Sequence, residues 1–286
     1  MKLPITLPAP AKLNLFLHIT GQRDDGYHNL QTVFQLIDFC DELTFSPNNE
    51  NEIHLVSDIS AIKPADNLIW RAAKLLQEET GCSKGMEIKL DKRIPMGGGL
   101  GGGSSDAATT LLALNKLWET GLSIEELMPL GLKLGADVPV FLSGSSVWAE
   151  GVGEILSPIQ LPESWHLIIN PRCHVDTAQI FQHKQLTRDT NTIKMRSFLT
   201  GGTKNDCEIV VKNLYPEVNE ALELLTKLGA KPRMTGTGAC VFSTFSTKQD
   251  AQQALDAIKP YSTAFIAKGV QRSPLHEKLE LRPLFI

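Results

Sequence analysis

Pro95-Met96-Gly97-Gly98-Gly99-Leu100-Gly101-Gly102-Gly103-Ser104-Ser105-Asp106-Ala107-Ala108 is the stretch on which the reading of this chain turns. Six of the seven residues from Gly97 to Gly103 are glycine, so bare backbone faces whatever approaches. Ordering that many glycines costs too much conformational entropy for an ordinary turn. Ser104, Ser105 and Asp106 follow as N-cap residue types. Ala107, Ala108, Leu111, Leu112, Asn115 and Trp118 then recur at helical spacing. A glycine loop therefore feeds a helix N-terminus, where free backbone N–H groups and the positive end of the macrodipole suit a phosphate.

What is absent narrows the kind of loop. No lysine follows the glycines, so this is not a Walker A loop, and G-x-G-x-x-G is matched only trivially by so glycine-rich a run. Met86 to Asp91, just upstream, alternates apolar and charged residues, as a strand with one wet face does. A Rossmann strand would be apolar throughout. A flexible interdomain linker would have no use for Pro95-Met96 before it or an apolar helix fused to its end.

Upstream, Lys12 to Ile19 alternates, with Leu13, Leu15, Leu17 and Ile19 on one side and Lys12, Asn14, Phe16 and His18 on the other. That pattern predicts a half-buried strand on which Lys12, taken alone, is a solvated strand-end charge. An Asp-Gly turn at Asp25-Gly26 delivers Tyr27 and His28, in isolation a rim aromatic and a surface histidine, into a second alternating stretch from Leu30 to Phe39. Strand from Glu42 to Val56 with a turn at Pro47-Asn48-Asn49, then a helix capped by Asp66-Asn67 and ending at Gly81, lead up to the loop. Downstream, Ser123-Ile124-Glu125-Glu126 is a capping box, and Gly135-Ala136-Asp137-Val138-Pro139 sets a carboxylate at a glycine corner, where a lone aspartate reads as a turn or cap. The second half predicts strands and helices in alternation around a glycine turn, Thr235 to Gly238, with a polar, aperiodic stretch from Leu186 to Lys204.

Composition bounds the class. The chain has 286 residues, 42% hydrophobic and 21% charged, with a net charge of -4. That predicts a globular protein, two domains with a boundary near Pro158–Pro162, and no polyanion-binding surface. Five scattered cysteines without a C-x-x-C pair argue for reduced thiols and against a zinc site. The proline-broken segment from Met1 to Pro8 is no secretory signal and no apolar run reaches transmembrane length, so a cytoplasmic protein is expected.

A lysine on a strand, a phosphate loop and an aspartate at a glycine corner together supply what phosphoryl transfer needs: a cradle, positive charge and a group to orient or deprotonate the attacking hydroxyl. Pro10-Ala11-Lys12-Leu13-Asn14, the loop from Pro95 to Ser105, and Thr235-Gly236-Thr237-Gly238-Ala239 resemble the three motifs of the superfamily of galacto-, homoserine, mevalonate and phosphomevalonate kinases. Gly21-Gln22-Arg23-Asp24-Asp25-Gly26-Tyr27-His28 and Gly135-Ala136-Asp137-Val138-Pro139 resemble its branch acting on a cytidine-diphosphate-bearing alcohol of non-mevalonate isoprenoid biosynthesis. The resemblance runs nearly end to end; only Leu186 to Lys204 is unmatched.

The resemblance implies an α+β fold with a ribosomal-protein-like α/β first domain (1–160), a ferredoxin-like second domain (161–286) and the active site between them. It implies Asp137 as catalytic base and Lys12 as its electrostatic partner. ATP would be bound by Pro95, Met96, Gly97, Gly98, Gly99, Leu100, Gly101, Gly102, Gly103, Ser104 and Ser105, with Asn67 near the adenine. Asn14, Tyr27, His28 and Phe181 would bind the substrate's cytidine end and polyol. Mg²⁺ is expected with ATP, with no protein ligand named. Another kinase of the superfamily with an aliphatic acceptor would have no need of Tyr27-His28, and a silent ATP-binding regulator would tolerate loss of Lys12 or Asp137; both are present.

Overall fold

A computed structural model of the protein describes residues 4–48, 50–57, 63–199, 201–258 and 263–285. Met1 to Leu3 of the amino-terminal segment, Asn49 of the expected turn and Thr200 of the aperiodic stretch lie outside the described residues. In chain order the elements are β1 (Ile5–Gln22), β2 (His28–Ser46), β3 (Ile53–Ser57), α1 (Leu68–Thr80), β4 (Met86–Asp91), α2 (Gly102–Trp118), α3 (Ile124–Leu134), α4 (Val138–Ser143), β5 (Val147–Gly151) and β6 (Ile155–Pro158). There follow β7 (Trp165–Asn170), α5 (Thr177–Gln182), α6 (Met195–Leu199), α7 (Glu208–Leu214), α8 (Pro216–Lys227), β8 (Arg233–Met234), β9 (Val241–Phe245), α9 (Lys248–Ile258), β10 (Thr263–Val270) and α10 (Pro274–Lys278).

The strands form one sheet in the order β3-β4-β2-β10-β7-β9-β8, with β1 and β5 also paired to β2 and β6 to β5. Every pairing but that of β3 with β4 is antiparallel. The two halves of the sheet join through only two residue pairs, Gly269 with Ile37 and Val270 with Leu36. One core lies among α1 to α4 and the first half of the sheet, built on Leu36, Leu43, Phe45, Leu76, Leu111 and Phe141. A second gathers Leu167, Ile169, Val211, Leu222 and Val241, and takes Leu17 and Ile19 from β1. Leu13, Ile37, Leu100, Ile168 and Phe242 pack where the halves meet.

Local signals held where a short segment decides them. Asn67 caps α1 through its side chain and Gly81 closes it in the left-handed region. Ser123 and Glu126 make the capping box of α3. β4 alternates buried and exposed residues along its length.

The structure corrects three expectations. β1 has no wet face: Lys12, Asn14, Phe16 and His18 are all buried. Bulges at Pro10/Lys12, Asn14/Leu17 and Ile19/Gly21 interrupt its alternation. The aperiodic stretch after Leu186 folds over it, stacking Phe198 on Phe16 at 5.4 Å and packing Ile193 and Met195 beside Val33 and Trp148. Ser104, Ser105 and Asp106 are not caps of α2; the helix starts earlier, with Gly101 at the cap, and they lie in its first turns. The chain also continues past β10 into α10, opened by Ser273-Pro274, which returns Leu275 to the first core.

Candidate active site

Backbone hydrogen bonds stitch the glycine loop to two other motifs. Leu100 O accepts from Lys12 N at 3.0 Å, while Gly97 O and Gly98 O accept from Ala239 N and Cys240 N at 3.2 and 3.1 Å. Gly99 O accepts from both Lys12 Nζ (3.0 Å) and Thr235 Oγ1 (3.2 Å). Leu100, the run's one side chain, is buried and anchors it. Geometry requires glycine at Gly99 and Gly101, as it does at Gly97. Gly99 and Gly101 have φ of +74° and +72°. A Cβ at Gly99 would lie 2.2 Å from Thr235 O; one at Gly101 would lie 2.9 Å from Phe141 Cζ and 3.1 Å from two carbons of Lys12. α2 begins without a side-chain cap, so its first N–H groups are left for an anion.

Lys12 comes out of this frame as a buried cation. Its Nζ donates to Asn14 Oδ1 at 2.6 Å, sits 5.2 Å from the Phe34 ring centroid and forms an ion pair with Asp137 Oδ2 at 3.2 Å. Asn14 is held in turn, its Nδ2 donating to Thr32 Oγ1 at 3.0 Å and its backbone N to Thr235 Oγ1 at 2.9 Å. Asp137 occupies the N-cap position of α4, but its side chain makes no cap hydrogen bond. It points at the lysine instead, and is 34% exposed where Lys12 is 3% exposed. A carboxylate paired with a buried ammonium, yet open on one side, can accept a proton from a hydroxyl placed against it.

A cleft of about 1050 Å³ runs from this pair and from Gly97, Gly99, Gly101 and Ser104 to Tyr27, His28 and Phe181. The β1–β2 turn closes through Tyr27 O, which accepts from Arg23 N at 2.7 Å. Tyr27 itself is 62% exposed, whereas His28 is buried and faces Phe181, ring centroids 5.1 Å apart and planes at 32°. Phe181 is carried by α5, which the Asp176 side chain caps. The cleft thus gathers Lys12, Asn14, Tyr27, His28, Asp137 and Phe181, and brings them together with Gly97, Gly99, Gly101 and Ser104. Asn67 does not line it, and its Oδ1 is engaged with Ile69 N at 2.9 Å. Pro95, Met96, Gly98, Leu100, Gly102, Gly103 and Ser105 also lie off its lining; Met96 is 60% exposed, and Ser105 Oγ is buried with no hydrogen-bond partner among the described residues.

Sequence reasoning missed Arg188, in the aperiodic stretch. Its Nε donates to His28 Nε2 at 3.1 Å, and its terminal nitrogens hold the carbonyls of Phe181, His183 and Leu186. It also missed a buried charge cluster behind the loop. Lys92 Nζ donates to Asp41 Oδ2 at 2.5 Å and Asp106 Oδ2 at 2.8 Å, while Asp41 Oδ1 accepts from Arg93 N and Ile94 N. Burial, opposed by Lys92, pushes the Asp106 carboxyl up to about 7. No periodic pattern marks either group, since Arg188 and Lys92 look like ordinary surface charges in sequence.

Among the described residues, the only cluster of three metal-ligating side chains is the largely exposed Glu50, Glu52 and His54 on and before β3, off the cleft lining. The cleft lining carries the carboxylates of Asp25, Asp137 and Asp176, of which Asp137 pairs with Lys12, and Ser104 offers a hydroxyl from the glycine loop and first turn of α2. No helix among the described residues is long and apolar enough to cross a membrane.

Two family descriptions match the chain: "GHMP kinases N terminal domain" over residues 67–145 and "GHMP kinases C terminal" over 193–262. It is 53% identical to a 4-diphosphocytidyl-2-C-methyl-D-erythritol kinase of Pseudomonas syringae pv. syringae (strain B728a), over 97% of this chain and 98% of the relative. It is 52% identical to one of Nitrosococcus oceani, over 96% and 97%. A crystal structure of a 4-(cytidine 5'-diphospho)-2C-methyl-D-erythritol kinase superposes with a TM-score of 0.81 at 33% identity, covering 93% of this chain and all of that one. The mevalonate kinase of Methanococcus jannaschii shares the fold at 15% identity, with a TM-score of 0.70 over 94% of this chain and 99% of that one.

Proposed function

The chain belongs to the 4-diphosphocytidyl-2-C-methyl-D-erythritol kinase family of the GHMP kinases and is a small-molecule kinase, and on that premise we propose its substrate, chemistry and residue roles. ATP phosphorylates the C2 hydroxyl of 4-diphosphocytidyl-2-C-methyl-D-erythritol in non-mevalonate isoprenoid biosynthesis. The observation that carries this is the Lys12–Asp137 pair, 3.2 Å apart, in one cleft with the glycine loop at one side and Tyr27, His28 and Phe181 at the other.

Asp137 takes the hydroxyl proton as the oxygen bonds to the γ-phosphorus and the bond to the ADP oxygen breaks. Lys12 holds the carboxylate in its charged form's geometry and meets negative charge gathering on the transferred group. Gly97 to Ser105 cradle the phosphates through backbone N–H groups, with Pro95 and Met96 at the loop's entry and Asn67 toward the adenine. Asn14 orients Lys12 and the polyol, while Tyr27, His28 and Phe181 receive the base.

Mg²⁺ fits the donors present. It takes most of its ligands from phosphates and water, so one carboxylate and one hydroxyl, Asp137 and Ser104, are enough protein donors. When bound it would neutralise phosphate charge. The division into a ribosomal-protein-like first domain (1–160) and a ferredoxin-like second domain (161–286) belongs to the same proposal, as does a cytoplasmic location.

Steady-state ATP hydrolysis and transfer, assayed with the cytidine substrate, homoserine and mevalonate in turn, tests the reading. Turnover is expected only with the first. Equal turnover with an aliphatic acceptor would move the protein to another branch of the superfamily, and none with any of them would leave an ATP-binding regulator.

A further inference from the structure

Within the cytidine reading, on which this inference rests, we propose that Arg188 is a positioning residue that fixes the tautomer of His28, making its free ring nitrogen a hydrogen-bond donor to the substrate base. An arginine side chain has five N–H donors and no acceptor. The Arg188 Nε–H at 3.1 Å therefore obliges His28 Nε2 to accept, and in a neutral imidazole the proton then resides on Nδ1. His28 lines the cleft, and Nδ1 has no hydrogen-bond partner among the described residues. Burial, with the Arg188 charge second, holds its pKa below the ordinary histidine value, which favours the neutral ring.

Arg188 is itself held in place. Its terminal nitrogens donate to Phe181 O at 2.7 Å, His183 O at 3.0 Å and Leu186 O at 3.1 Å. The aperiodic stretch that carries it is pinned to the β1–β2 hairpin, Thr190 N donating to Ile19 O and Ile193 N to Gln31 Oε1. One side chain thus ties the helix bearing Phe181 to the ring that packs beside it.

The consequence is a choice of base edge. Cytosine offers an amino donor at N4 and acceptors at N3 and O2. An Nδ1–H cannot meet N4; of the two acceptors, O2 is shared with uracil, and only at N3, where uracil carries a hydrogen and would set donor against donor, does such a donor tell the bases apart. Discrimination by the His28 side chain thus falls at ring position 3, rather than position 4.

Nitrogen-15 NMR of His28 in the wild-type protein reads the tautomer directly. The Nδ1–H form is expected, and in Arg188→Met the mixture of an untethered histidine. A wild-type ring carrying its proton on Nε2 overturns the proposal whatever the variants do. Kinetically, the ratio of kcat/KM for the cytidine substrate over its uridine analogue is expected to fall about 10-fold in Arg188→Met, the size of one hydrogen bond. The loss should be on KM more than kcat, with partial recovery in Arg188→Lys. An undiminished ratio in both variants also overturns it. A wild-type enzyme indifferent to cytosine or uracil would instead overturn the cytidine reading itself, and the NMR result would then stand apart from it.

Discussion

The two ends of the cleft are built differently. At the reaction end Lys12 is 3% exposed, on a strand paired along its length with β2, and its ammonium is fixed by Asn14, Gly99 O and Asp137. The loop beside it is bonded by backbone to both neighbouring motifs. At the base end Tyr27 stands on a turn, 62% exposed, and Phe181 on a six-residue helix, with Arg188 as the tie. Charge transfer rewards dipoles that need not reorganise, which a buried, hydrogen-bonded frame supplies. Recognition of a base needs flat faces and a few polar groups, which turns and short helices can present and vary. Changes at the first end should therefore strike kcat, and changes at the second KM.

The largest effect expected is at the ion pair. Asp137→Asn should lower kcat by about 10²–10⁴-fold with fold and ATP binding retained, as loss of a positioned base does. Lys12→Met should do comparable harm, and the double variant should be little worse than the worse single one because the two act as a unit. Multiplicative losses in steady-state kinetics would separate their roles and break the account of that end.

Gly101→Val comes next. A side chain there meets Phe141 and Lys12 and must hold φ near +72°, so kcat/KM should fall by roughly 100-fold from strain and a displaced lysine together. Calorimetry should show weakened ATP binding while the cytidine substrate still binds. A folded variant with wild-type ATP affinity would place the phosphates elsewhere.

At the base end, Phe181→Ala or Tyr27→Ala should raise KM for the cytidine substrate by roughly 5- to 150-fold, from base stacking of about 1–3 kcal/mol. The change in kcat should be smaller. A fall in kcat as large as that in kcat/KM would erase the contrast between the ends.

The smallest effect concerns the scaffold and is nil near neutral pH. His276, on α10 in the first half, and His166, on β7 in the second, are both held at a pKa of about 4 by burial, His276 despite the pull of Leu142 O. Unfolded, each titrates near 6.5, so below that pH the unfolded chain binds more protons and stability declines as pH falls toward 4. Each should cost about 2 kcal/mol by pH 4.5. Thermal melts of His166→Asn against wild type from pH 7 to 4.5 should show a shallower acid decline.

Much of this molecule was legible in the sequence because short segments decide it. The glycine run demanded close backbone approach, Asn67 and Ser123 announced helix starts, and the alternation of Met86 to Asp91 marked a strand with one wet face. Each depends on sterics or hydrogen bonds spanning a few residues. The same rules misjudged Lys12 as a solvated charge and gave Asp137, alone, no more than a turn. Their combination with the phosphate loop, and then the superfamily resemblance, linked them.

Tertiary structure alone decided what pairs across long separations. The β1–β2 register sets Asn14 beside Thr32, the loop's carbonyls draw Lys12 inward, and α4 turns Asp137 to face it. The cover over β1 came from a stretch with no period, because its few apolar residues bury against a surface the sequence pattern treated as wet. Arg188 reaches His28 across 160 positions. Such contacts follow from register and packing of whole elements, and those have no signature within any one of them.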